Sequence, residues 1–164
     1  MSPIPPDELA EVRIIGFPLA IQANAEEHLD DLLREFMLIT AGNEQGLDTH
    51  IPRQLVELMD ELRRDYDGIT LEQDAQMLEA KESGVASVDL VYRVPHGVAA
   101  ACTRLGDALD AADRYCLSGK HLLTLATPPE ALELRRWYLG QFVTQIGGGE
   151  ATSWSDWTSA KKAS

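Results

Sequence analysis

The hydrophobic positions change period along this chain, and three times they change in the same way. A short apolar run ends at a proline, and a helical stripe follows. VRIIGFP (12–18), VDLVYRVP (88–95) and HLLTLATPP (121–129) are the three runs. Residues 86–94 alternate most clearly. Val88, Leu90, Tyr92 and Val94 fall on one side, and Asp89, Val91 and Arg93 on the other, as in a strand with one buried face. Val12, Ile14, Ile15 and Phe17 predict a strand over 11–17, and Leu122–Ala126 a third.

Pro18, Pro95 and Pro129 suit the entry to a helix, since a proline in the first turn has no amide to leave unpaired. Ile21, Ala25, Leu29, Leu32, Leu33, Phe36 and Ile39 make an apolar stripe over 19–41, opposed by Glu27, Asp30, Asp31 and Arg34. Leu55, Leu58, Met59, Leu62 and Tyr66 do the same after Pro52. Thr70-Leu-Glu-Gln73 reads as a capping box opening a short helix that would bury Leu71, Ala75 and Leu78. Val98, Ala101, Cys102, Leu105, Leu109, Ala112 and Cys116 predict a long helix closed by Gly119. In the last helix, 129–146, Leu132, Tyr138, Leu139, Phe142, Val143 and Ile146 share a face. Arg135 falls in the middle of that face and Trp137 away from it.

Strands joined through helices make parallel crossovers. The expected architecture is therefore α+β: a small three-stranded sheet, at least partly parallel, built from strand–Pro–helix units and packed with about five helices. Residues 1–10, with three prolines, read as an extended arm; 11–146 as one domain; and 147–164, after Gly147-Gly148-Gly149, as a loop-like tail carrying Trp154 and Trp157.

Composition changes this picture in one respect. The 164 residues hold 27 Asp and Glu against 14 Lys and Arg, a net charge of −13. Phosphate backbones and anionic lipid surfaces repel such a chain, so nucleic acid and membrane are set aside as partners; the charge reads first as a source of solubility and second as a surface for a basic protein partner. Cys102 and Cys116 would lie roughly 21 Å apart along one helix, beyond disulfide reach. With no signal peptide and no membrane-length apolar run, the expected compartment is the cytoplasm.

The candidate chemistry is sparse. His28, His50, His96 and His121 have no Cys or His partner at metal-ligand spacing, and the acidic cluster around Glu27 and Asp31 reads as a solvated helix face. Asp48-Thr49-His50 lacks a nucleophile in a defined context, and the glycine triplet fails the phosphate-loop test. No catalytic residue, metal site or cofactor is expected. Arg135 is the exception to a bland pattern: a guanidinium in an apolar stripe must snorkel, pair with a carboxylate or meet a ligand. Arg136 and Trp137 beside it, with Trp154 and Trp157 in the tail, are candidates for an interaction surface with another protein or a second copy of the chain.

LATPPEALELRRWYLGQFV (125–143) resembles the first strand–helix unit of the anti-sigma factor kinases, in which a strand meets a proline-rich step and an Arg-containing helix follows. The family's ATP-site motifs are missing. The helix that should carry Glu-x-x-x-Asn reads Glu57-Leu-Met-Asp-Glu61, and no Asp-x-Gly-x-Gly occurs, so no ATP-site residue is carried over. The whole chain is similar to uncharacterised actinobacterial proteins associated with partner-switching sigma-factor regulation. The resemblance implies a non-enzymatic regulator that works by protein–protein interaction in a bacterial stress or sigma-factor circuit. The alternative from the residues is a sensor domain with a small-ligand pocket near Arg135, lined by Tyr92 and Tyr138; an enzyme of unrecognised type is the third reading.

Overall fold

The computed structural model describes residues 8–42, 50–118 and 126–163. Its elements run β1 (Leu9–Pro18), α1 (Leu19–Gly42), α2 (His50–Asp65), α3 (Leu71–Glu82), β2 (Ser87–Pro95), α4 (Val98–Ser118), α5 (Pro129–Ile146) and α6 (Trp154–Ala163).

Among the described residues the sheet has two strands, not three, and they are antiparallel. The parallel crossover fails because the three helices between β1 and β2 return the chain to the end of the sheet from which β1 left: Pro18 pairs with Ser87 and Leu9 with Pro95. The third run lies largely outside the described residues, and its last member, Ala126, sits in a bend. Of the expected arm, Leu9 and Ala10 are already strand. The expected tail contains a sixth helix, α6.

The register slips between Ile14 and Phe17, where Gly16 takes a positive φ of 73°. The Gly16 amide donates to Asp89 Oδ1 at 2.8 Å. This bulge has a purpose in the core. In an unbroken strand residues three apart point to opposite faces; the extra residue lets Ile14 and Phe17 both turn inward, and leaves Ile15 out.

A two-stranded ribbon has two open edges, and a glutamine meets each. Gln145 on α5 accepts the Arg13 amide through Oε1 (2.8 Å) and donates to the Arg13 carbonyl through Nε2 (2.9 Å), as a neighbouring strand would. On the other side Gln73 of α3 donates to the Val91 carbonyl at 2.6 Å. That contact overturns the expected α3 face. Gln73, Met77 and Ala80 turn toward β2, while Leu71 and Leu78 are 70% and 59% exposed. The capping box is absent too: Gln73 is spent on the strand, and Thr70 Oγ1 donates to the Asp74 carboxylate at 3.1 Å.

α1, α2, α4 and α5 close a ring in which each packs on two neighbours, α1 on α2 and α5, α4 on α2 and α5. Two cores result. One lies between the ribbon, α5 and α6, around Tyr92 and Trp137; the other lies among α1, α2 and α4, around Phe36 and Leu55.

Candidate ligand-binding cavity

The seam between the two cores is a cavity of about 300 Å3. α1 contributes Leu29 and Leu32, α4 contributes Leu105 and Leu109, and α5 contributes Leu134 and Tyr138. The bulge delivers Phe17 to its wall, and Met77 of α3 reaches it from the ribbon side. Polar groups are few: Gln22, Glu26, His28, Thr127 and Arg135. This volume matches the small end of ligand sites, which are apolar with a small number of polar groups.

Arg135 stands at the cavity wall with its charge already matched. Its side chain is 13% exposed. Nη2 donates to Asp110 Oδ1 (2.6 Å) and Asp113 Oδ2 (2.9 Å), and Nη1 donates to Thr127 Oγ1 (3.2 Å). Asp113 also accepts the Thr127 amide (3.0 Å) and hydroxyl (2.6 Å). Burial alone would raise the Asp113 pKa, but the hydrogen bonds from Thr127 and Arg135 outweigh it and hold the carboxyl below its usual value. The cluster ties α4 to the Thr127–Pro128 step and so fixes where α5 begins, which makes Arg135 a girder of the cavity with its donors facing α4.

The aromatic residues also find partners within the chain. Trp137 is 1% exposed, not turned away from the core as its position on the helical wheel implies, and its indole donates to the Thr152 carbonyl at 2.8 Å. Thr152 N in turn donates to buried Gln141, which also accepts from Gln145. α5 is covered on several sides, by β1, α4, α1 and the segment leading into α6, so a single apolar stripe could not describe it. Trp154 packs edge-on to Trp137 and stacks on Trp157, both half-buried. Lys161 lies over the Trp157 ring and pairs with Glu133 at 3.0 Å. Arg136 is exposed beside a second, more polar cleft between α4 and α5. The five candidate interaction residues thus form no single exposed patch.

Searches of protein-family models, curated proteins and solved structures find no match to this chain. Its function is therefore argued from its own geometry.

Of the two tyrosines expected at a pocket, Tyr138 lines the cavity and donates to the hydroxyl of Tyr92 (2.9 Å), which is enclosed behind it. Burial pushes Tyr92 up to about 12 and Tyr138 well above its ordinary value, so both are neutral hydrogen-bonding groups at physiological pH. Among the described residues no group of His, Cys, Asp and Glu could hold a metal ion, and no helix is long and apolar enough to cross a membrane. Cys102 and Cys116 are free thiols; burial raises both to about 11, with the charges of Asp113 and Glu35 adding to the effect at Cys116.

The polar residue that the sequence reading passed over is Gln22. Its signal was available: Gln22 and Glu26 sit one turn apart, flanked by the apolar positions Ile21, Ala25 and Leu29.

Proposed function

We propose that this chain is a non-enzymatic ligand-binding domain that holds a small, mostly apolar molecule in the cavity between α1, α4 and α5. One observation carries the reading: an apolar space of about 300 Å3 lies at the seam of two cores, bordered by five elements whose relative positions it would sense. At about 30 Å3 per water-sized group, it suits a ligand of about ten non-hydrogen atoms. A thermal-shift screen of compounds of that size tests it. A ligand at 100 times its Kd adds about 2.7 kcal/mol, which for a chain of this length is a rise of about 5–10 °C. Ala25→Trp, which fills the cavity from α1, should abolish the rise. A screen without a saturable shift, or one whose shifts survive Ala25→Trp, would remove the basis of the reading.

A protein-binding regulator, as the sigma-factor resemblance implies, is the second reading. What favours it is the outer face of α3. Leu71, Ala75 and Leu78 form an exposed apolar stripe on a strongly acidic chain, a better partner surface than the tryptophans, one buried and two half-buried. Leu71→Lys with Leu78→Lys should abolish capture of a partner while leaving thermal stability unchanged. Partner capture that survives the double substitution would exclude this face.

A further inference from the structure

Among the described residues nine large hydrophobic side chains are exposed, and four of them, Leu71, Leu78, Val85 and Val91, fall in α3, β2 and the turn that joins them. Helical periodicity orders the α3 pair. At about 100° per residue, Leu71, Ala75 and Leu78 lie within roughly 60° of one another, and Glu82 closes the line one turn on. Glu72 and Glu79 flank the line on one side and Asp74 on the other. All four acids are exposed, and among the described residues none of them takes part in an ion pair. The one cation of α3, Lys81, is turned toward α1, where its Nζ stands 3.9 Å from the Glu26 carboxylate. The outer face of α3 is therefore an apolar line inside an unneutralised acidic rim.

Resting on the protein-binding reading of this face, we infer that its partner presents a cationic amphipathic helix, with an apolar stripe that packs on Leu71, Ala75 and Leu78 and with Lys or Arg on both sides of that stripe. Three observations choose this occupant. Apolar residues at i, i+4 and i+7 make the ridge on which a second helix packs. An extended segment would need a sheet edge, and the β2 edge beside α3 is already met at Val91 by Gln73. A second copy of the chain would set these acids against themselves, since α3 carries four acids against one lysine that is held by Glu26. The net charge of −13 draws a basic partner toward the whole molecule; α3 is where that attraction meets an apolar contact.

The test uses the full chain and two synthetic peptides of about 14 residues, roughly 21 Å long as helices. They share one leucine stripe and carry either lysine or glutamate beside it. Binding is followed by calorimetry at low and at moderate salt. The lysine peptide should bind at least about tenfold more tightly than the glutamate peptide, and the difference should shrink as salt rises. Glu72→Lys with Glu79→Lys should weaken the lysine peptide about tenfold. Glu57→Lys with Asp60→Lys, at exposed positions of α2, makes the same change in net charge and should weaken it less than about threefold. Leu71→Ser with Leu78→Ser leaves the charge alone and should abolish binding of the lysine peptide. Equal binding of the two peptides, a lysine preference that survives Glu72→Lys with Glu79→Lys, or an equal loss in the α2 control overturns the cationic-helix inference; the α3 face still stands if the serine variant abolishes binding. Binding that survives the serine variant removes the face, and the inference with it. Failure of both peptides to bind overturns the inference alone, and the face then stands or falls by partner capture.

Discussion

Asp113→Ala should be among the most damaging single substitutions in this chain, for reasons unrelated to volume. The carboxylate accepts three hydrogen bonds, two from Thr127 and one from Arg135, and its side chain is 15% exposed. Removing it leaves the Thr127 amide and hydroxyl without that acceptor and a nearly buried guanidinium with Asp110 as its one carboxylate partner among the described residues. Breaking a buried ion pair costs about 3–5 kcal/mol. Because Asp110 stays, the low end applies, about 3 kcal/mol, or a fall in Tm of about 6–12 °C. Asp113→Asn, which keeps an acceptor for Thr127, should cost about half as much. Urea unfolding of the wild type, Asp113→Ala, Arg135→Met and the double variant closes the cycle, with an expected coupling of about 1–3 kcal/mol. The pH dependence has a fixed sign. The folded pKa of Asp113 is lowered, so its contribution is complete above the unfolded value of about 4 and fades as pH falls from there through the folded value. The wild type should lose stability over that acid range more steeply than Asp113→Asn. A cost below about 1 kcal/mol, an equal cost in the Arg135→Met background, or identical acid profiles would refute the argument that this cluster fixes the start of α5.

Three further outcomes follow from the geometry. Gly16→Ala should cost about 1 kcal/mol from its left-handed backbone alone, since no atom lies within 4 Å of the added methyl, and Gly16→Asn should cost less; equal costs would point to packing instead. Ending the chain at Gly149 removes the Thr152 carbonyl from Trp137 and the indole of Trp154 from its face. The shortened protein should be less stable by about 3 kcal/mol and its remaining tryptophan emission red-shifted, with the same association state by light scattering; a dimer turning into a monomer would instead show the segment bridging two copies. Cys102 and Cys116, raised to about 11, should react slowly with iodoacetamide at pH 8 and fully only in denaturant, as followed by mass spectrometry.

What could be read from the sequence was what single-element periodicity encodes. The alternation of 88–94 matches the buried side chains of β2, and Pro18 marks the start of α1 as Pro129 marks that of α5. Leu32, Phe36 and Ile39 are buried as their spacing requires. What could not be read depends on pairs of elements. Strand direction is set by where α1–α3 return the chain. Phe17 reaches the core through a bulge that depends on Asp89, 73 positions from Gly16. α3 hides a glutamine and exposes two leucines because a strand edge needs a donor more than the helix needs an apolar face. The cavity is a seam between stripes that each look complete alone. Arg135, out of place in its stripe, and Tyr138 near it pointed toward it.

The amide relay from Arg13 through Gln145 and Gln141 to Thr152 has a consequence in time. Arg13 and Gln145 are 132 positions apart, so the edge of β1 is closed by the far part of the chain. During synthesis β1 can pair with β2 once residue 95 has emerged, yet its outer edge must wait for 141–152. Contacts of such separation form late and slow folding. Once made, they join strand and helix into one opening unit. The amides of Arg13 and Thr152 should then exchange with solvent at matching free energies, reporting a single event at opposite ends of the described chain.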